Sequence, residues 1–304
     1  HPEYRRQRQM CIRDSAHTHR YPEELLGDPQ SFAQLHKEWH WLELVSPKNK
    51  KSLQGWSTRE KMIADMDKSE VERAVLLGWY WENPETCELQ NQWCSQWIAR
   101  DPDRFIGFLS LHPELQNSVE SLKRSKDLGF IGIGECHPWL QGASIQNANW
   151  MNCMEFAAAE GWPVTFHVTE PVGHDYPSRV QTPFGEFLWL ARQLPELKII
   201  LAHAGGLFPF YELNPKIRPE LKNVHYDLAA CPLLYDPEIY RKLIEVVGVK
   251  KILWGTDYPL RIFPATQKEP DFTTFKNLVL NEAELSESER DAIFGNNLLA
   301  LLPC

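Results

Sequence analysis

The chain has 304 residues, 43% of them hydrophobic and 24% charged, a balance that suits a folded domain with a large core and argues against disorder. Its formal net charge is -9, and its longest basic stretch is Lys48-Asn49-Lys50-Lys51, so a nucleic-acid-binding face is not expected. The seven cysteines are odd in number and form no C-x-x-C pair, which argues against a disulfide framework or a zinc ribbon and fits a reducing compartment. No apolar run reaches about 18 residues and no signal-type apolar segment follows the N-terminal arginines, so a cytoplasmic location is expected. Residues 5–15, RRQRQMCIRDS, look like translated sequencing-adapter sequence. Residues 1–15 are therefore expected to be non-native or disordered, and 16–304 to form one domain.

In chain order, an apolar strand belongs just before His17, where that suspect segment stands. Short β-rich apolar runs bounded by turn residues follow at 71–79, 105–111, 130–136, 163–168, 198–203, 224–229 and 251–257. Helical patterns at 58–68, 86–100, 118–128, 149–160, 184–194 and 237–247 alternate with them, and 286–302 reads as one more helix outside. Alternation predicts a parallel sheet, and eight repeats predict its closure. The fold class is α/β, a (β/α)8 TIM barrel with long βα loops and an extra C-terminal helix. No G-x-G-x-x-G follows the first strand, which argues against a dinucleotide site. The loops 20–57, 169–183, 204–223 and 258–270 are long and are expected to shape the active site. Trp39, Trp41 and Trp56 in the first loop, with Trp79-Tyr80-Trp81 after the second strand, together suggest a pocket for a flat or partly apolar ligand. Any one of these rings is more often packing than contact.

His17 and His19 are two apart on a strand, so their side chains point to one side and can reach one metal ion. Alone the pair is a weak signal. His167, His203 and Asp257 fall at the ends of the fifth, sixth and eighth strands, the barrel face where catalytic groups gather, and the joint pattern predicts a metal site. Glu135 ends the fourth strand. It is expected to orient substrate, to hydrogen-bond a histidine, or to bridge a second ion held by His203. Arg179 and Arg261 are candidates for clamping a substrate carboxylate, and Trp79 and His174 for lining the substrate pocket. His137, Tyr226 and Asp227 lie near the site without a defined role.

The segments Ala16-His17-Thr18-His19, residues 163–167, Leu201-Ala202-His203-Ala204-Gly205-Gly206 and Gly255-Thr256-Asp257-Tyr258-Pro259 resemble the amidohydrolase superfamily, in its amidohydrolase-related branch of hydrolases, hydratases and nonoxidative decarboxylases. The resemblance implies one divalent ion, most often Zn²⁺ with Mn²⁺ an alternative, bound by His17, His19, His167 and Asp257. It implies His203 as an acid/base or carbonyl-polarising group. Three neutral imidazoles and a carboxylate suit zinc, which lowers the pKa of its water to roughly 7, and Asp257 could take that water's proton. Asp257, His203 and Glu135 are thus the expected catalytic set.

The leading expectation is hydrolysis of a carbonyl-centred bond, an amide, lactone or ester, in a small molecule. One alternative is nonoxidative decarboxylation of a small unsaturated or aromatic acid. Another is a binuclear phosphodiesterase like the TatD nucleases, against which the acidic balance counts. A non-catalytic metal-binding or interaction protein is the third class. A small-molecule substrate is expected rather than nucleic acid or membrane, with a homo-oligomer left open.

Overall fold

The computed structural model describes residues 13–21, 25, 28–115, 118–177 and 179–303. The expectations about residues 1–12 lie outside them. Eight strands pair in parallel in sequence order: β1 (Asp14–His19), β2 (Arg73–Leu77), β3 (Phe105–Leu109), β4 (Phe130–Cys136), β5 (Val164–Phe166), β6 (Ile199–Leu201), β7 (Val224–Asp227) and β8 (Ile252–Leu253). The ring nearly closes where Ala16 N donates to the Trp254 carbonyl at 2.8 Å and His19 N to the Tyr258 carbonyl at 2.7 Å. Strands covered on both faces read as continuous apolar runs. Ala16, Val75, Leu77, Ile106, Phe108, Ile200 and Leu253 accordingly form one buried cluster, and a larger cluster lies between strands and helices. The predicted barrel is the observed one.

The barrel strands are accompanied by α1 (Pro29–His36), α2 (Trp39–Val45), α3 (Arg59–Lys68), α4 (Pro84–Arg100), α5 (Ser118–Lys126), α6 (Ala148–Glu160), α7 (Phe184–Gln193), α8 (Cys231–Leu234), α9 (Glu238–Val247) and α10 (Thr273–Glu282). Local chemistry sets their ends. Thr58 caps α3 by accepting from Lys61 N, Asn147 caps α6, and Gly161 ends α6 in the left-handed region with φ 66°. α1 and α2 lie inside what the sequence reads as loop, and α10 falls where the sequence shows no helical pattern.

The final helix is less regular than its sequence pattern. It divides into α11 (Glu287–Asp291), a π-helical turn (Ala292–Asn296) and α12 (Asn297–Leu301). The Ile293 carbonyl accepts from Trp254 N at 3.0 Å, a bond to the barrel at the point where the helical ladder widens. Asp14 and Ser15 already belong to β1, opposite Arg73 and Ala74. The expected apolar lead-in is therefore replaced by an ion pair between the buried Asp14 and the part-exposed Arg73, Oδ2 to Nη2 at 2.5 Å. Burial raises the Asp14 pKa despite that partner. Among the described residues no helix is long and apolar enough to cross a membrane.

Candidate metal centre

β1 carries His17 and His19 on one side, and both imidazoles are buried. His17 Nδ1 lies 2.9 Å from Asp227 Oδ2 and His19 Nδ1 lies 3.3 Å from the Leu77 carbonyl. With Nδ1–H donating in each case, both Nε2 lone pairs face the same point, 3.2 Å apart. Asp257 Oδ1 completes the group at 3.3 Å from His19 Nε2 and 3.8 Å from His17 Nε2. Two converging lone pairs beside a carboxylate fit a divalent cation.

A second group stands beside it. His167 Nδ1 is 3.0 Å from Glu135 Oε1, His203 Nε2 is 3.4 Å from the same oxygen, and the two ring nitrogens are 3.1 Å apart. Glu135 joins the groups, because its Oε2 lies 3.5 Å from His19 Nε2 and 3.8 Å from His17 Nε2. The arrangement thus differs from the four-ligand set implied by the family resemblance. His167 turns Nδ1 toward Glu135 and His203, while Glu135 stands on the fourth side of the first group.

The electrostatics follow from proximity. Burial pushes the His17 and His203 pKa values down, but Asp227, Glu135 and Asp257 around His17 raise it to about 9, and Glu135, Asp257 and Asp227 around His203 raise it to about 10. Conversely, burial raises Asp257 and Glu135, yet the histidines hold Asp257 down to about 2 and Glu135 well below the usual carboxylate range. A proton and a cation compete for the same lone pairs, so metal uptake must release protons.

Backbone geometry fixes these groups more firmly than strand pairing alone. β5, β6 and β8 stop short of His167, His203 and Asp257, which sit on the first residues beyond or near the strand ends. His203 opens a run of left-handed residues, with φ of 59° at His203, 55° at Ala204, 59° at Gly205, 57° at Gly206 and 71° at Leu207. Each non-glycine there costs roughly 1–2 kcal/mol, and such strain is held at sites where the surroundings over-determine it. Added Cβ atoms at Gly205 and Gly206 would meet the Tyr226 ring at 2.8 Å and Val168 Cγ1 at 2.9 Å. Asp227 Oδ1 holds the turn's start by accepting from His203 N at 3.2 Å and Ala229 N at 2.9 Å. One carboxylate therefore orients His17 and positions His203. Gly255 lets β8 approach closely, since a Cβ would stand 2.7 Å from His17 Cβ.

His19, Asp257, Glu135, His167 and His203 form the floor of a cavity of about 360 Å³, with His17 buried behind them. Tyr21, Trp41, Trp79, Tyr80, Tyr176 and His174 line it, while Lys50 and Lys51 stand at its loop side. Trp56 and Trp81 pack behind that wall and Trp39 is half exposed at the surface. Arg179 and Arg261 are not among the lining residues: their Nη2 atoms donate to the Glu170 and Ser52 carbonyls. His137 lines the cavity, stacked on His167 with ring centroids 5.0 Å apart. Burial and the adjacent His167 push its pKa well below the ordinary value. Tyr226 turns away, donating to Glu212 Oε1 at 2.7 Å.

The chain is 27% identical over 278 residues to a 2-amino-3-carboxymuconate-6-semialdehyde decarboxylase of Dictyostelium discoideum, covering 79% of this chain and 75% of that protein. The 5-carboxyvanillate decarboxylase of Sphingomonas paucimobilis superposes with a TM-score of 0.72 at 14% identity, covering 96% of this chain and 98% of that one. A dihydroxybenzoic acid decarboxylase of Polaromonas sp. JS666, solved with bound manganese, superposes with a TM-score of 0.66 at 20% identity over 95% and 96% of the two chains. These relatives carry decarboxylase names, which overturns the expectation of carbonyl-bond hydrolysis. The phosphodiesterase alternative gains no support from them. The model of the amidohydrolase family matches residues 16–303, nearly the whole chain, and the protein belongs to that family.

Proposed function

We propose that the protein is a metal-dependent nonoxidative decarboxylase of small unsaturated or aromatic carboxylic acids. The relationship to the Dictyostelium decarboxylase carries this reading. The cavity supports it, since flat aromatic walls above a floor of carboxylates and imidazoles suit a conjugated acid. A divalent cation, zinc or manganese, held by His17, His19 and Asp257 would supply positive charge to hold a substrate carboxylate or a neighbouring hydroxyl.

The net reaction is R–COO⁻ + H⁺ → R–H + CO₂. The electron pair of the broken C–C bond takes up a proton at the same carbon. Two groups at the floor can hold that proton: His203, through Nε2, and Asp257, whose side chain is 13% exposed. Both line the cavity. Tyr21, Trp41, Trp79 and Tyr80 keep water from the departing carboxylate's carbon and give a planar substrate a surface to lie against. Lys50 and Lys51 attract an anionic substrate to the opening, whereas Arg179 and Arg261, the sequence's candidates for clamping its carboxylate, are not among the lining residues.

The test is a panel of hydroxylated aromatic and muconate-type acids, incubated with the metal-loaded protein in D₂O. CO₂ release with one deuteron entering carbon per CO₂ is expected. Products retaining the carboxylate and gaining water, or no CO₂ from any such acid, would sink the reading.

A further inference from the structure

We infer that Arg261 is a positioning residue, a brace that ties the lysine-bearing wall of the cavity to the turn carrying Asp257. The acid it serves is that of the decarboxylase reading, while the tie itself is made of hydrogen bonds. Asp257 and Arg261 belong to one turn after β8, closed by Leu260 N donating to the Asp257 carbonyl at 2.8 Å. β1 holds the start of that turn: Asp257 N donates to the His17 carbonyl at 3.0 Å, and His19 N to the Tyr258 carbonyl at 2.7 Å. The turn is thus one body with the floor of the site.

Its far end grips the first loop. Arg261 N donates to the Leu53 carbonyl at 2.9 Å, Arg261 Nη2 donates to the Ser52 carbonyl, and Gln54 pairs antiparallel with Leu260. Pro47, Lys50, Lys51, Leu53 and Gln54 line the cavity. Among the described residues, the other hydrogen bonds of 46–54 stay local: Ser46 N to the Leu42 carbonyl at 2.8 Å, Ser52 Oγ to the Val45 carbonyl at 2.6 Å, Gln54 N to Ser52 Oγ at 3.0 Å and Gln54 Nε2 to the Gly55 carbonyl at 2.5 Å. The hydrogen-bonded link from this wall to the barrel therefore runs through Leu260 and Arg261. Lys50 and Lys51 are exposed, so the place of their charges depends on the anchored residues beside them. A flat acid reaching from floor to opening meets Asp257 at one end and the lysines at the other. Arg261 fixes the separation of the two, and such placement decides how well a ligand fits both. The competing reading is that Arg261 supports the cavity as a whole.

Isophthalate, with two carboxylates, and benzoate, with one, distinguish these readings. Their binding to the metal-loaded full-length chain is followed by the fluorescence of Trp41 and Trp79, which line the cavity. Isophthalate is expected to bind more tightly than benzoate. Arg261→Met keeps the stem and removes the donors, and it is expected to weaken isophthalate about tenfold while leaving benzoate within about twofold. Arg261→Lys, with donors on a flexible stem, should recover part of the loss. In a chain carrying Lys50→Met and Lys51→Met, Arg261→Met should cost isophthalate nothing further. Circular dichroism reports folding, and if Arg261→Met does not fold, Arg261→Lys takes its place in the same cycle. Equal weakening of both acids, additive losses in the combined variant, or no preference for isophthalate in the unaltered protein would each overturn the inference. So would unchanged isophthalate binding by a folded Arg261→Met. The selective loss without CO₂ release from any acid would remove the decarboxylase reading and leave the brace standing.

Discussion

Glu135 at the barrel mouth and Glu38 in the first loop are both buried, at 2% and 0% exposure, yet their acidities move in opposite directions. Burial raises both. At Glu135 the charges of His167 and His17 and hydrogen bonds to His167 and His203 overcome it and hold the carboxyl well below its usual range. Glu38 meets mainly neutral donors: Glu82 N at 2.7 Å, and Asn83 N and Nδ2 each at 3.2 Å. Burial wins there and pushes it up to about 7. Neighbours, not depth, decide whether a buried carboxylate keeps its charge. The barrel mouth is built to hold negative charge for cations, while the loop uses a carboxyl as a clasp between its own helices and the start of α4.

The contrast breaks most severely at the floor. Asp257→Asn keeps the shape and the left-handed φ of 63°, which asparagine tolerates, but removes the charge and the protonatable oxygen. CO₂ release is expected to fall about 10²–10⁴-fold with the melting temperature little changed. Substantial remaining turnover in a folded, metal-loaded variant would remove Asp257 from the mechanism. Asp227→Asn tests the layer beneath. Asparagine cannot accept at both oxygens, so it cannot serve His17 Nδ1 on one side and the His203 and Ala229 amides on the other. A loss of about 10–100-fold in metal affinity is expected by competition with a chelating dye. Unchanged affinity would mean that β1 alone orients His17.

Much of this was legible in the sequence because strand ends carry their own signals. Turn residues after apolar runs located Glu135, His167, His203 and Asp257 on one face, and the H-x-H spacing put His17 and His19 on one side of β1. The grouping of Glu135 with His203 was legible as one alternative, but the place of His167 beside them was not. Which oxygen of Glu135 meets which histidine depends on the barrel's curvature and on ring orientation, and neither is written in spacing. The sequence alone leaves Asp227 without a role, although a buried ligand histidine needs an acceptor at Nδ1 and β7 ends in a carboxylate. α1 and α2 were hidden because seven or eight residues give too short an apolar stripe, and α10 begins with two β-branched threonines. The available signal for α10 was Asp271, whose carboxylate accepts from Thr274 N at 2.6 Å.

The mildest test falls on the other side of the comparison. Glu38 has a folded pKa of about 7, against 4.5 for an ordinary glutamate. Between those values the folded chain binds more protons than the unfolded one, so the contribution of Glu38 is most favourable below about pH 4.5 and is lost as pH rises to about 7. The shift corresponds to about 3 kcal/mol at most. Glutamine at 38 is neutral throughout and keeps one acceptor oxygen for the Glu82 or Asn83 amide. Urea unfolding from pH 4.5 to 7.5 should show wild type losing stability relative to Glu38→Gln across that window, with the difference levelling above it. A flat difference would mean that the amides of Glu82 and Asn83 hold Glu38 charged after all. The two carboxylates would then differ in the strength of their partners and not in the sign of their response to burial.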